Sequence, residues 1–174
     1  MKRKYFVLIL LLLCSCASVA QRSGYIDIKN KSTEPYIFKF SGTQTQFNRA
    51  IKRFLLENGF SIASEDTSAG VLITDPKILK EDETYNTGAM RIASSMFGDS
   101  IDEEKGIVSI MYDTMPGGEI WMKLKCLNQA KSTTNSPMFG KIKDSSEKIL
   151  AQGDPLPMKM KILLLKDTRF SLVP

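Results

Sequence analysis

Between positions 47 and 55 the chain carries an apolar stripe at helical spacing. Its members recur at i, i+3, i+4, i+7 and i+8 and are Phe47, Ala50, Ile51, Phe54 and Leu55. Such a stripe predicts an amphipathic helix over residues 43–58 that must bury one face against another layer of structure. Ser41 or Thr43 can cap the start of this helix, and Gly59 supplies the left-handed residue with which many helices end.

Short stretches of alternating apolar and polar residues predict the layer on which this helix packs. Strands are expected at 36–40, 60–62 and 71–74, followed by a hairpin formed by 107–112 and 119–127 around a Pro-Gly-Gly turn. This order of elements favours a single α+β domain over residues 25–174. Its sheet is expected to be mainly antiparallel or mixed, packed against the main helix and a short C-terminal helix.

The segments around these elements carry weaker local signals. Alternation at 25–29 predicts a first strand. Polar and acidic residues dominate 75–105, which predicts an excursion from the sheet with room for a helix at 89–97. Residues 128–137 are polar and predict a loop.

The C-terminal part contains one helix signal and one strand signal. Asp144-Ser145-Ser146-Glu147 matches a capping box, which predicts a short helix that ends before Gly153. Residues 158–162 alternate between apolar residues and lysine, which predicts a last strand continuing to residue 165. A helix is the alternative for this last segment.

The N-terminus has the features of a secretory signal. Basic residues at 2–4 precede an uninterrupted apolar run over 5–13. This run is too short to cross a bilayer, since crossing takes about 20 apolar residues. The sequence Leu13-Cys14-Ser15-Cys16 then resembles the lipobox of bacterial lipoproteins.

This resemblance implies that residues 1–15 are cleaved as a signal peptide and that Cys16 is acylated. Residues 16–24 would then tether the domain to a membrane through the acyl chains. No acidic residue follows Cys16 directly, and the sorting rules of such lipoproteins therefore imply the periplasmic face of an outer membrane. The alternative is an ordinary secretory peptide cut after Ala20, which would release a secreted protein.

Charge and missing residue types exclude several classes of function. Without residues 2–4, the 24 Lys and Arg become 21 against 19 Asp and Glu, a net charge of +2 that gives no electrostatic case for nucleic-acid binding. The absence of histidine removes Ser-His-Asp and Cys-His catalysis and the commonest zinc ligand. With Cys14 cleaved and Cys16 acylated, only Cys126 remains, so an intrachain disulfide is impossible. Neither a metal nor a cofactor is expected.

The second strand of the predicted hairpin offers the best candidate binding face. Its apolar side carries Ile120, Met122, Leu124 and Cys126. Its other side carries Trp121, Lys123 and Lys125, an aromatic and basic stripe that can bind an anionic lipid, a glycan or a partner protein. Alternatively, a helix covers this stripe and the lysine stems pack on apolar surface. Cys126 is expected to behave as a small buried hydrophobe.

Two further patterns resemble chemical sites. Ser145 and Lys148 form Ser-x-x-Lys, the spacing of serine β-lactamases, but the companion Ser-Asp-Asn and Lys-Thr-Gly motifs are missing. The second pattern is a set of acids in polar sequence, namely Asp75, Glu81, Asp82, Glu83, Asp102, Glu103 and Glu104. Their spacing does not match an EF-hand loop, so a solvated face is expected rather than a calcium site or a carboxylate pair.

The stretch from Phe47 to Thr74 resembles part of the small α+β domains of envelope lipoproteins. Those that assist the assembly of lipopolysaccharide or outer-membrane proteins are examples. The shared pattern is a short helix ending in Gly59-Phe60, a strand, a polar turn and a second strand. The resemblance implies an α+β fold, and only by analogy a role in envelope assembly.

The expected function is that of a lipid-anchored, non-enzymatic binding or assembly accessory module, which contacts an envelope protein or lipid through its sheet. Two alternatives stay open. A carboxylate-based hydrolase requires a pocket where the pKa values of two acids are pushed apart. A small-ligand carrier requires an enclosed apolar cavity between the sheet and the helix.

Overall fold

The computed structural model describes residues 32–80, 82–84, 99–136 and 140–173. They belong to one compact unit, Ser32–Pro174. The helices in these ranges are α1 (Gln44–Glu57) and α2 (Pro155–Leu164). Its strands, in chain order, are β1 (Tyr36–Phe40), β2 (Ile62–Asp66), β3 (Val71–Thr74), β4 (Lys77–Ile78), β5 (Asp99–Thr114), β6 (Ile120–Ser136), β7 (Gly140–Ile149) and β8 (Phe170–Leu172).

The strands form one sheet around the long antiparallel pair β5 and β6. On the β6 side, β1 pairs with the first part of β6, β8 pairs with β1, and β7 pairs with the second part of β6. On the β5 side, β3 and β4 pair with β5, and β2 pairs with β3. All these pairings are antiparallel, so the predicted α+β class with a mainly antiparallel sheet is confirmed at this level.

Helix α1 forms where the apolar stripe and its caps predict it. The Thr43 side chain accepts a hydrogen bond from the Gln46 amide, and the Gln46 side chain accepts one from the Thr43 amide, which completes a capping box. At the other end Gly59 has φ +76°. The Phe60 amide then donates to the Leu55 carbonyl at 2.9 Å, as in a Schellman motif.

Both helices contribute to a core on one face of the sheet. The helices supply Phe47, Ile51, Leu55, Leu156, Met160 and Leu164. The strands supply Phe38, Phe40, Val108, Ile110, Met122 and Leu124, among others, and each of these is at most 2% exposed. Full burial of one such side chain stabilises the fold by about 1.5–3 kcal/mol. The Phe47 ring centroid lies 5.5 Å from that of Phe40 and 4.8 Å from that of Tyr112, so α1 contacts both β1 and β5.

The predicted loop at 128–137 and the predicted helix that the capping box opens at Asp144 are wrong. Strand β6 continues to Ser136, and residues 140–149 form β7, paired with β6 from Leu127–Ile149 to Ser136–Gly140. A capping box is a local signal that stabilises only one helical turn. A continuous ladder of backbone hydrogen bonds to β6 outweighs it.

The predicted last strand at 158–165 is also wrong, and the helical alternative holds. Pro155 occupies the first turn of α2, where proline is tolerated. The buried positions Leu156, Met160 and Leu164 recur every four residues. The alternation of Met and Lys at 158–162 therefore had no structural meaning, because it lies across this helical stripe.

The polar excursion predicted at 75–105 is shorter than its composition suggested. Residues 99–105 form the first part of β5, and Lys77–Ile78 form the short strand β4. Position 81 and positions 85–98, which include the possible helix at 89–97, lie outside the described residues. The same holds for residues 1–31, with the predicted signal, lipobox, tether and strand at 25–29.

Candidate functional site

One face of the sheet is not covered by either helix within the described ranges. We call it the open face. It carries Ile37 and Lys39 of β1, Met111 and Asp113 of β5, and Trp121, Lys123 and Lys125 of β6. Each of these residues alternates with a buried core residue on its own strand. The predicted separation of the two sides of β6 is confirmed, because Ile120, Met122, Leu124 and Cys126 are each at most 2% exposed.

A shallow depression lies on the open face beside Trp121. It has a volume of about 450 Å³ and is lined by Ile37, Met111, Tyr112, Asp113, Met115, Trp121 and Lys123. Strand pairing explains why these residues meet. Lys123 of β6 lies opposite Ile37 on one side and Met111 on the other, and Asp113 lies opposite Trp121. The floor is thus apolar, while one basic and one acidic residue lie at its margin.

Neighbouring polar groups hold the Trp121 ring in place. Trp121 Nε1 donates a hydrogen bond to Glu119 Oε2 at 3.3 Å. Lys39 Nζ lies 2.9 Å from the same carboxylate oxygen and 5.5 Å from the centroid of the Trp121 ring. The hydrogen bonds from Lys39 and Trp121 lower the pKa of Glu119 from its ordinary value. Glu119 therefore stays ionised near neutral pH and orients both partners.

The two other predicted residues carry charge that is not neutralised locally. Lys123 is exposed and Lys125 is half-buried. Among the described residues, one ion pair lies on this face, between Lys39 and Glu119. Neither Lys123 nor Lys125 forms an ion pair with a described residue. The open face therefore combines exposed apolar surface, such as Met111 at 42% exposure, with positive charge that no described acid neutralises.

A second polar cluster lies at the core side of the sheet, around the buried Glu83. Lys77 Nζ lies 3.0 Å from both Glu83 carboxylate oxygens, and Lys159 Nζ lies 3.0 Å from one of them. Burial alone would raise the pKa of Glu83. Hydrogen bonds from the Lys80 amide and from the two lysines outweigh burial and lower the pKa. This carboxylate joins β4 to α2 and does not have the raised pKa that a general acid needs.

A groove between α1 and the end of α2 brings two carboxylates near one depression. It has a volume of about 340 Å³, and Glu57 and Asp167 line it. Each acid is paired with an arginine, Glu57 with Arg53 at 2.6 Å and Asp167 with Arg169. The hydrogen bond from Arg169 lowers the pKa of Asp167. Asp167 therefore does not have the raised carboxyl pKa on which acid–base hydrolysis depends.

The other chemical candidates are placed apart from one another. Ser145 and Lys148 lie three positions apart on strand β7, so they point to opposite faces and not along one helical turn. Burial raises the pKa of Cys126 to about 12, which keeps its thiol protonated. The space beside Cys126 amounts to about 10 Å³, roughly the room of one water molecule.

Of the acids singled out in the sequence, Asp82 and Glu83 converge on Lys159, and the other described acids have separate partners. Asp75 accepts a hydrogen bond from Ser61, and Asp82 is paired with Lys159. Asp102 accepts from Thr133, and Glu103 is paired with Lys105. Glu104 is 2% exposed and lies near Asn128. Glu81 lies outside the described residues. Among the residues that are described, no three Cys, Asp or Glu side chains come together as a metal site.

Sequence reasoning found the β6 part of the open face but missed Ile37, Lys39 and Met111. Each alternates with buried neighbours, and this signal was present in the sequence. What was missing was the register that sets β1 and β5 beside β6. The hairpin turn at 113–118 fixes the register of β5 against β6. The position of Met111 beside Lys123 could therefore have been predicted from the sequence.

Comparison with protein-family models, with curated proteins and with solved structures gives no match for this chain. Within the described ranges, neither helix has the length and hydropathy needed to cross a bilayer. The function is therefore argued from the geometry of the open face.

Proposed function

We propose that this chain is a lipid-anchored, non-enzymatic binding module of the cell envelope, which docks a partner protein on its open face. The observation that carries the proposal is the 450 Å³ depression beside Trp121, next to the exposed side chains of Met111 and Lys123. Trp121 is the type of residue on which protein interfaces most depend, and its ring is already oriented by Glu119 and Lys39.

The partner is argued from the chemistry of this surface. The depression is lined mainly by apolar atoms of Ile37, Met111, Met115 and Trp121, and its size suits one or two partner side chains. Lys123 and Lys125 add positive charge at its side. A complementary partner therefore presents an apolar side chain with acidic residues beside it.

The proposal includes the cellular location of the chain. Export and anchoring are supported by the basic residues 2–4, the apolar run 5–13 and the lipobox resemblance at Leu13-Cys14-Ser15-Cys16. Acyl chains on Cys16 would hold the module at the membrane, on the periplasmic side of an outer membrane by the sorting rule. The chain would then act as an assembly accessory that holds a partner near the bilayer.

Fractionation tests the anchor. The full chain is expressed in its host, and its distribution between membrane and soluble fractions is compared with that of the Cys16→Ser variant. Loss of the variant from the membrane fraction is expected. Cys14→Ser is the matched control, since Cys14 is expected to leave with the signal, and this variant should stay with the membrane. A Cys16→Ser variant that still partitions fully with membranes would refute acylation at Cys16 as the anchor.

Site-specific photocrosslinking in intact cells tests the docking face. A photoreactive amino acid is placed at position 111 of the full chain, beside the depression, and at position 49 as control. Arg49 is exposed on α1, on the other side of the sheet. We expect one envelope protein to crosslink from position 111 and not from position 49. Mass spectrometry should map the adduct to a segment with apolar and acidic residues. Equal adducts from both positions, or lipid adducts alone from position 111, would overturn the proposal.

A further inference from the structure

The outer edge of β7 is a long strand edge on which no described strand pairs. Strand β7 pairs with β6 along one side only, so it is an edge strand of the described sheet. All residues from 141 to 149 are exposed. Such an edge presents a row of backbone N–H and C=O groups that a further strand can use.

The register shows which residues aim their backbone groups outward. The Leu150 amide donates to the Cys126 carbonyl at 3.0 Å, so this is a hydrogen-bonded position of the ladder. Hydrogen-bonded and non-hydrogen-bonded pairs alternate along an antiparallel ladder. The even positions of β7 therefore bond to β6. The odd positions, namely Lys141, Lys143, Ser145, Glu147 and Ile149, direct their N–H and C=O groups outward.

We propose that this edge pairs antiparallel with β7 of a second copy of the chain, with Ser145 opposite Ser145 on the two-fold axis. In this register Lys143 of each copy lies opposite Glu147 of the other, which gives two ion pairs. The register also sets Lys141 opposite Ile149, Ile142 opposite Lys148, and Asp144 opposite Ser146. No like charges lie opposite each other, and the outward groups can form about ten backbone hydrogen bonds.

Charge and the length of the overlap together favour this register over its neighbours. Sliding the copies one way places Asp144 opposite Asp144, and sliding further places Lys143 opposite Lys143. Sliding the other way puts Ser146 on the axis, which avoids like charges but pairs only residues 143–149. The next step places Glu147 opposite Glu147. Directly opposed like charges destabilise strand pairing, so the Ser145 register combines the longest overlap with two ion pairs and no opposed like charges.

The pairing has a consequence for the open face. Ile149 lies opposite Leu127, so the odd positions of β7 are on the same side of the sheet as Trp121 and Lys125. Antiparallel strands that form one continuous sheet are related by an axis perpendicular to that sheet. Both open faces of the dimer would therefore point the same way and present two equivalent surfaces on one side. The pairing itself rests on β7 alone and stands without the proposed function.

Disulfide trapping tests the register in the full chain in its native membranes. In Ser145→Cys, the two new cysteines face each other at a Cα separation of about 5.5 Å, within the range of a disulfide. Ser146→Cys is the matched control, because residue 146 faces Asp144 instead. Mild oxidation should give a dimer on a non-reducing gel for Ser145→Cys only, above the background of the unsubstituted chain. Trapping at 146 in place of 145, or at neither position, would overturn the proposal.

A charge swap provides an independent test on the same membranes, by chemical crosslinking of the dimer. Lys143→Glu sets Glu opposite Glu147 twice and should weaken dimerisation about tenfold, and Glu147→Lys should do the same. The double variant Lys143→Glu/Glu147→Lys restores both ion pairs and should recover the dimer. Both residues are exposed, so the fold should tolerate each change. Single variants that dimerise normally, or a double variant no better than the singles, would contradict the proposal.

Discussion

Lys39 lies directly across the β1–β6 ladder from Trp121, and its ammonium is 5.5 Å from the centroid of the Trp121 ring. This contact places a cation beside the residue at the centre of the open face. Trp121 is the sole tryptophan of the chain. Its fluorescence therefore reports on this face without background from another site.

The charge of Lys39 should be visible in fluorescence quenching. Iodide and acrylamide both quench tryptophan fluorescence by direct contact with the ring. Iodide is an anion that the Lys39 ammonium attracts, whereas acrylamide is neutral. In Lys39→Met, iodide quenching of Trp121 should fall at low ionic strength while acrylamide quenching stays unchanged. The free energy of unfolding should change by less than about 1 kcal/mol, because the contacts of Lys39 with Trp121 and Glu119 are partly exposed to solvent.

Lys166→Met is the control for this measurement, since Lys166 is exposed beside the groove on the helix side. It should leave both quenching constants unchanged. Equal iodide quenching in Lys39→Met and the unsubstituted chain would show that Lys39 does not lie over the ring in solution.

Glu83 should be one of the most sensitive polar positions of the fold. Its side chain is 4% exposed and ion-paired to Lys77, which is 14% exposed. Glu83→Gln leaves the Lys77 charge buried without its counter-ion and should cost about 3 kcal/mol of unfolding free energy. Lys159 is 31% exposed, so Lys159→Gln should cost about 1 kcal/mol or less. Urea unfolding measures the free energy of unfolding of both variants. An equal loss of stability in the two variants would contradict this ranking.

The same carboxylate gives stability a defined dependence on pH. The pKa of Glu83 is lower in the folded chain than its ordinary value of 4.5. Its contribution is therefore complete above that value and is lost as pH falls through the folded pKa. Unfolding free energy measured from pH 6 down to pH 3 should fall less steeply for Glu83→Gln than for the unsubstituted chain. Parallel slopes would mean that Glu83 is not stabilised in its ionised form.

Gly70 and Gly117 both adopt positive φ but differ in the space around them. A Cβ on Gly70 would lie 2.0 Å from the Tyr112 carbonyl oxygen, whereas a Cβ on Gly117 meets nothing within 4 Å. Gly70→Ala would also disturb the 2.7 Å hydrogen bond from the Tyr112 amide to the Gly70 carbonyl. We expect Gly70→Ala to cost about 3 kcal/mol or more and Gly117→Ala about 1 kcal/mol. Thermal unfolding that ranks them the other way would contradict the close approach of β3 to β5.

The parts of the fold that could be predicted are those with a buried face. The α1 stripe, with its Thr43 and Gly59 caps, and the alternation of β6 around Met122 reflect contact with the core. Residues 128–136 and 140–149 lack this signal, because much of this β6–β7 ribbon is solvated and needs no apolar period. Only the pairing of the consecutive strands β5, β6 and β7 makes them β-structure, and no apolar period in the sequence marks that pairing.

The candidate site shows the same limit. That Trp121, Lys123 and Lys125 share a face follows from the two-residue period of a strand. The depression needs Ile37 from β1 and Met111 from β5, and their positions depend on strand order. In α2, the Met and Lys alternation obscured a stripe at Leu156, Met160 and Leu164, since both periods fit a short segment.

The most direct test of the docking face is the dependence of photocrosslinking at position 111 on the charges beside it. The yield of the partner adduct is measured in intact cells for Lys123→Glu/Lys125→Glu and for Lys166→Glu, which reverses a charge on the helix side. We expect the double reversal to reduce the yield at least about fivefold through repulsion of the acidic partner, and Lys166→Glu to leave it unchanged. An undiminished yield after reversal of Lys123 and Lys125 would contradict the assignment of the open face as the docking surface.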